Sequence, residues 1–344
     1  MRILILYSRL VPSWIPVFDC LTSMQHLIDV VHWDFNKENS FVPPQKKGVN
    51  YFGRSAYTHK HMKDLFHRNL PNLVFISGWM DYDYLKIALI ARKKNIPVVF
   101  GCDNWWLGTV RQRVASLIPS RLRRMVFSHA WVSGPRQYEF CKRLGYSDDE
   151  IIHNLLSCDT ECFSLNRSPK FKRAKQFIYV GRFSQEKGIS TLAEAFKIYR
   201  TRFNGDWKLL CVGSGVDGLE LMSTEGVDVI PYADPSTVAS LMAESSVFVM
   251  PSRQDFSPVA VHEAVCADLP LILSEGVGNS DCYAIKKYNA MMFPVNDPLS
   301  LAKCFKAYEK MSHAEILKMS QNSRTLSLRH NAEITAWSMM SIIN

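Results

Sequence analysis

The chain has no apolar run of 18 residues, no C-x-x-C pair, no internal repeat and no low-complexity segment. The first absence excludes a membrane-spanning helix. The second, with nine cysteines in all, fits a reducing compartment better than a disulfide scaffold or a zinc site. The early apolar stretch RILIL, residues 2–6, is too short for a signal-peptide core, so a cytoplasmic protein is expected. Nor is there an RNP, KH, zinc-finger or helix-turn-helix signature, and nucleic acid is not an expected partner. What is present is ordinary for a globular chain: 344 residues, 47% hydrophobic and 21% charged. That length exceeds what one core usually supports and points to two domains.

The first half is poor in acid. Residues 1–168 carry 22 Lys and Arg against 14 Asp and Glu, and the remainder 19 against 18, so nearly all of the net +9 lies in the first half. The excess is densest in RQRVASLIPSRLRRM, where Arg111, Arg113, Arg121, Arg123 and Arg124 alternate with Val114, Leu117, Ile118, Leu122 and Met125. Such a segment suits an anionic membrane surface, at roughly 1 kcal/mol per cation near the headgroups. A solvated helix face is the plainer alternative.

Short apolar runs alternate with longer helix-like stretches. Strands are expected at 3–7, 73–77, 97–101, 130–133 and 151–155, then at 177–181, 208–213, 227–230, 246–250 and 270–274. Helices are expected at 82–94, 189–202, 235–244 and 258–267. Unbroken apolar strands between helices imply parallel sheets covered on both faces. The polar, basic stretch 164–176 reads as a linker between two Rossmann-like domains. Residues 1–165 form the first, residues 166–330 the second, and residues 331–344 a terminal helix that can cross back to the first. Ligands of such sheets bind beyond the carboxyl ends of the strands.

Four features of the second half follow in an informative order. FIYVGRFSQEKG (177–188) runs a strand into Gly181, Arg182 and Lys187-Gly188. Two cations and flexible backbone there suit a pyrophosphate. LLCVGSGVDG (209–218) carries Gly213 in a nucleotide-type turn, without the full G-x-G-x-x-G spacing that an NAD site needs. VFVMPSRQDFSPVAVHEAV (247–265) places Asp255 in a loop and Glu263 eight residues later on a helix, where a carboxylate can accept from two ribose hydroxyls. LPLILSEGVGNSD (269–281) ends a strand in Ser274, Gly276 and Gly278, whose amides could meet a phosphate or sugar hydroxyl. His262 is given no role.

Taken together, VGRF…EKG, VGSG, PS…D-x7-E-A and LP-x3-S-x-G resemble the donor domain of family 4 (group 1) glycosyltransferases, retaining enzymes of the GT-B fold. The likeness covers roughly residues 150–310 and begins at NLLSCDTECF, similar to the family's N-G-V-D-x3-F segment. It implies an α/β GT-B architecture, two doubly wound domains facing across a cleft. It further implies that Arg182 and Lys187 hold the donor diphosphate, that Glu263 holds the ribose, and that Asp255 contacts the transferred sugar. Gly181, Gly213, Ser257 and Val259 would complete the nucleotide-sugar site. No D-x-D occurs in the second half, which agrees with metal-independent transfer without a cofactor. Two fixed cations stabilise a nucleoside diphosphate leaving group, while the glycosyl carbon becomes oxocarbenium-like.

The sequence departs from the family pattern in several places. Asp255 stands where Glu is usual, with about 1.5 Å less reach. Pro258 replaces a Gly and removes one N–H. The segment YSRLVPSWIP lacks the glycine turn usual after the first strand. Where the family often has His, this chain reads Cys102-Asp103-Asn104-Trp105-Trp106. Asp103 is the candidate to orient acceptor or sugar there, with Trp105 as a stacking surface; a hydrogen-bonded loop Asp beside core tryptophans is the alternative.

The expected activity is retaining transfer from a nucleotide diphosphate-sugar to a glycan or lipid-linked acceptor, in cell-surface polysaccharide synthesis such as lipopolysaccharide or capsule. Arg121, Arg123 and Arg124 would face the acceptor or the inner face of the plasma membrane. A nucleotide-sugar epimerase and a non-catalytic accessory subunit remain as alternatives. Specificity is expected from loops 34–57 and 103–120.

Overall fold

The computed structural model describes residues 1–34, 41–165 and 173–343. Residues 35–40 of the first specificity loop and 166–172 of the expected linker lie outside them. The chain divides into two compact units, residues 1–157 with 332–344, and residues 158–331. The division falls between Ser157 and Cys158, where the motif pattern suggested 165, and the terminal helix Ala332–Met340 packs with the first unit.

The first unit holds seven parallel strands: β1 Arg2–Tyr7, β2 Leu27–His32, β3 Val49–Gly53, β4 Leu73–Ile76, β5 Val98–Cys102, β6 His129–Val132 and β7 Ile151–Ile152. Their order is β3-β2-β1-β4-β5-β6-β7. β2 and β3 were not expected from the sequence. β2 hides Asp29 in an apolar strand, and the fold tolerates it because Asn50 and Asn69 each donate to that carboxylate at 2.8 Å. β7 is shorter than the 151–155 expected, since its pairing with β6 covers only two residues. On one face Trp131 packs edge to face on Trp14 and Phe75 at 6.0 and 5.6 Å, Trp14 and Phe75 lie tilted at 5.4 Å, and Ala336 and Met339 of the terminal helix join that core.

The second unit holds β8 Gln176–Val180, β9 Lys208–Val212, β10 Val227–Ile230, β11 Val247–Met250, β12 Leu271–Ser274 and β13 Ala290–Phe293. All pairings are parallel, in the order β10-β9-β8-β11-β12-β13. β13 was also missed; its two methionines are only half buried, as an edge strand allows. The helices Ile189–Thr201 and Pro298–Lys310 cover one face, where Phe305 packs 4.6 Å from Phe177. The chain moves outward from β8 through β9 to β10, then returns to β11 on the other side of β8. That reversal opens a crevice at the carboxyl ends of β8 and β11.

Candidate functional site

The crevice is furnished by the two loops that leave those strands. After β8 comes Gly181, whose N–H donates to the Val212 carbonyl at 3.0 Å. Beside it, a Cβ on Gly213 would strike the Gly181 carbonyl oxygen, so glycine at 213 is demanded by the close approach of two strand ends. The chain then makes a short helical turn, Gln185–Lys187, closed by Gly188 in the left-handed conformation at φ +71°. A side chain at 188 would run into the Pro251 carbonyl. Glycine there lets the β8 loop rest on the end of β11 and leaves the helix Ile189–Thr201 without a side-chain cap.

The second loop is bound to the first by backbone. The N–H groups of Arg253 and Gln254 donate to the Glu186 carbonyl at 2.8 and 3.3 Å. Asp255 is fixed from the other side: its N–H donates to Gly276 O at 2.9 Å, and its carbonyl accepts from Gly278 N–H at 2.8 Å. Gly276 and Gly278 therefore serve this loop. Between the loops, Lys187 Nζ donates to Asp255 Oδ2, with the side chains only 16% and 12% exposed. Arg182 is half exposed and pairs with Glu186 at 3.3 Å. The structure thus brings Gly181, Arg182, Lys187, Gly213 and Asp255 to one strand-end crevice.

Ser257 and Val259 lie half-buried where the second loop enters the helix Val259–Cys266. Pro258 precedes that helix without a side-chain cap, and its carbonyl accepts from Asn279 at 2.8 Å. Glu263 sits in the second turn. Burial of its carboxyl pushes its pKa up to about 8, and the charges of Cys266 and Asp159 act in the same direction. Burial therefore favours the neutral carboxyl of Glu263 at pH 7.

Arg253 was not singled out from the sequence. Its guanidinium reaches Ser190 Oγ at 3.1 Å, while its Nε is buried without a partner among the described residues. The only sequence signal was its place between Ser252 and Asp255. One group of buried candidate metal ligands also occurs among the described residues: Cys158, His262 and Cys266. The i, i+4 spacing of His262 and Cys266 could have flagged it, but Cys158 is 104 residues from His262.

In the first unit, Asp103 is exposed beyond β5. Its carboxylate accepts from Asn104 at 3.1 Å and its carbonyl from Gln137 at 3.0 Å. Trp105 lies half-buried under the Arg136 guanidinium at 5.2 Å. The basic segment folds as two short helices, Val110–Ser116 and Ser120–Arg124. Their large apolar residues face outward: Val110 is 79% exposed and Leu117 80%, with Val114, Leu122 and Met125 also above half. Arg121 is exposed. Arg123, grouped with it in the sequence reading, is not on the open surface. It lies 3.5 Å over the Tyr146 ring and bonds Glu150 at 3.1 Å. Arg124 bonds the same carboxylate at 2.5 Å. These contacts hold Glu150 well below the usual carboxylate range, at about 2, although its burial works the other way. No helix among the described residues is long and apolar enough to cross a membrane.

Comparison with known proteins bears directly on this unit structure. Residues 174–308 match the family model described as Glycosyl transferases group 1. A glycosyltransferase of Methanocaldococcus jannaschii, itself uncharacterized, is 29% identical over 166 residues, 45% of this chain and 44% of that protein. TuaC of Bacillus subtilis, whose name connects it with teichuronic acid biosynthesis, is 27% identical over 141 residues, 41% of this chain and 34% of its own length. The matched stretches thus span less than half of either relative. Among solved structures, sucrose-phosphate synthase from Thermosynechococcus elongatus superposes with a TM-score of 0.75 at 17% identity, covering 99% of this chain and 98% of its own. Anabaena HepE, solved in complex with UDP, gives 0.74 at 13% identity and covers 100% and 99%. The fold is GT-B, and the group 1 resemblance read from the motifs is borne out over the second unit.

Proposed function

We propose that the protein is a glycosyltransferase that takes a sugar from a nucleotide diphosphate donor held at the β8/β11 crevice. The Lys187–Asp255 pair across the topological switch point carries this reading. In this pair each charge neutralises the other. A donor diphosphate competes for Lys187 and draws it toward the phosphates, which frees the Asp255 carboxylate to accept from a sugar hydroxyl. Arg182, half exposed beside the same loop, adds the second cation, and the uncapped amides of the helix Ile189–Thr201 favour an anion. As the glycosidic bond breaks, charge builds on the departing diphosphate, where fixed cations stabilise it without reorganising. Gly181 and Gly213 keep the crevice floor open, and Ser257 and Val259 form the entrance to the helix bearing Glu263. Two ribose hydroxyls donating to Glu263 would favour its ionised form, so nucleotide binding and proton release are coupled there.

Retention of configuration, independence of metal in the transfer step and the absence of a cofactor rest on the family resemblance. A glycan or lipid-linked acceptor and a role in cell-surface polysaccharide synthesis are supported by the name of TuaC. Asp103 and Trp105 are the proposed acceptor-side groups. The outward apolar residues and Arg111, Arg113, Arg121 and Arg124 support attachment to an anionic bilayer on its cytoplasmic face. Arg123 belongs to the packing beneath that surface.

UDP is the first nucleotide to test, because HepE is described in complex with it. Thermal melting with UDP, GDP, ADP and CMP, followed by hydrolysis of the matching nucleotide sugars, should give one nucleotide that raises the melting temperature and one sugar that is cleaved. Both effects should be lost in Lys187→Ala. If no nucleotide shifts the melt and no donor is cleaved or transferred, the enzyme reading fails in favour of an accessory subunit. Conversion of a donor to its epimer without acceptor would replace transfer by epimerisation.

A further inference from the structure

Cys158, His262 and Cys266 converge in the second unit from two distant stretches of chain. Cys158 lies just before the helix Thr160–Leu165, and the other two lie one turn apart on Val259–Cys266. Their donor atoms all fall within 4.8 Å of one another, and the two sulfurs are 3.6 Å apart. Two thiolates at about 2.3 Å from a tetrahedral cation would stand at nearly that separation. All three residues are buried.

The imidazole is poorly served by hydrogen bonding alone. Its Nδ1 accepts the Cys158 N–H at 3.2 Å, which leaves the ring proton on Nε2, a buried atom without a partner among the described residues. A cation on Nδ1 would leave that Nε2–H as it is; the three donor atoms converging within 4.8 Å are what suit a cation. The ring is otherwise held by stacking, on Tyr283 at 4.6 Å and on His330 at 5.5 Å. A cation that took the Nδ1 lone pair would displace a single long backbone hydrogen bond.

We propose that Cys158, His262 and Cys266 form a binding site for a thiophilic divalent cation, with Zn²⁺ as the occupant. Two thiolates and one neutral imidazole offset the charge of Zn²⁺, so no net charge is left buried. Binding releases the two thiol protons. The fourth donor is a water oxygen, which keeps the site neutral. The cation is structural: it fastens the chain entering the second unit to the helix that carries Glu263. It is separate from the diphosphate site, whose cations are Arg182 and Lys187, and it does not depend on the transferase reading.

The test uses the full chain, reduced and stripped of metal, titrated with Co²⁺ and then Zn²⁺. The expected result is one Co²⁺ per chain with thiolate-to-cobalt charge-transfer absorption, displaced by Zn²⁺, and a higher melting temperature with Zn²⁺. Cys158→Ser, Cys266→Ser and His262→Gln should each weaken cobalt binding by about 100-fold or more, since even losing a hydrogen-bond partner of a ligand costs about 10–100-fold. Cys162→Ser, one turn from Cys158, should leave it intact. Circular dichroism identifies any variant that does not fold, and the wild-type spectrum decides the matter alone if none folds. Absence of thiolate-to-cobalt absorption in the reduced wild type overturns the proposal. So does an unchanged spectrum in folded Cys158→Ser and Cys266→Ser. A Cys158–Cys266 disulfide that persists under the conditions that reduce the other cysteines would overturn it too.

Discussion

In the first unit the chain reverses direction across the sheet between β1 and β4, and Ser8 and Ser77 meet at the strand ends. In the second it reverses between β8 and β11, and Lys187 and Asp255 meet there. Ser8 N–H donates to Ser77 Oγ at 2.9 Å, and the two hydroxyls share a second neutral hydrogen bond at 3.0 Å. Lys187 and Asp255 form a largely buried ion pair. The fold therefore makes the same crevice twice, and the side chains decide what each can do. A neutral hydroxyl pair is satisfied as it stands and contributes about 0.5–1.5 kcal/mol. A charged pair at a crevice has lost much of its hydration, and an incoming anion offers the lysine a second partner.

The sharpest way to break this contrast is to discharge the second seam. Lys187→Ala should lower turnover of the accepted donor by roughly 10²–10³, as loss of one fixed stabiliser does in other enzymes. Steady-state release of nucleoside diphosphate measures it. Turnover within a factor of three of wild type would mean that the ion pair only fastens two loops. Asp255→Asn should act more weakly, by about 10–100-fold in kcat/KM, because it removes a sugar contact and leaves the phosphate cations in place. Its nucleoside diphosphate affinity should hold or rise, since Lys187 loses its competitor. A parallel loss of nucleotide affinity would count against the assigned division of labour.

The comparison extends to the surface. Arg111 and Arg121 are exposed and bear no ion pair among the described residues, unlike Arg123 and Arg124. The double variant Arg111→Gln, Arg121→Gln should weaken co-sedimentation with phosphatidylglycerol vesicles by about 30-fold, from roughly 1 kcal/mol per cation. Binding that ignores both the variant and added salt would remove the membrane from this face. Glu150→Gln probes the buried side of the same segment. A carboxyl held at about 2 in the fold and near the ordinary value when unfolded contributes stability above the unfolded pKa. That contribution is lost as pH falls through about 2. Denaturant melts at pH 7 should show Glu150→Gln less stable by about 1.5–3 kcal/mol, with the difference shrinking steadily below pH 4.5. A difference independent of pH would place the effect in packing on Tyr146 instead.

The placement of several candidate residues was legible because it is local. Strand runs and glycine placement set Arg182, Lys187 and Gly188 after one strand and Asp255 after another, while their proposed roles came from the family resemblance. What sequence could not show was who meets whom. Gly213 read as part of a nucleotide-type turn, and only the close approach of two strand ends showed its packing reason. Arg123 could not be told from Arg121, since only the fold brings Tyr146 and Glu150 beneath one of them. β2 was missed because a buried carboxylate broke its apolar pattern, and its compensating donors, Asn50 and Asn69, are 21 and 40 residues away. The Cys158–Cys266 approach spans 108 residues and was beyond any local pattern.

The smallest effect belongs to the first seam, and it is the control for all the others. Ser77→Ala removes the hydroxyl that accepts the Ser8 N–H and pairs with the Ser8 hydroxyl. Both groups on Ser8 are part-buried, so water can replace some of what is lost. The expected cost is about 1 kcal/mol in denaturant unfolding, with donor hydrolysis unchanged. The asymmetry with Lys187→Ala is the point: the two residues stand at matching strand ends, and only one should move the chemistry. If Ser77→Ala instead lowers acceptor-dependent turnover while donor hydrolysis stays at the wild-type rate, the first crevice holds acceptor. The neutral seam would then be a binding surface suited to sugar hydroxyls, and the contrast would lie between two ligands.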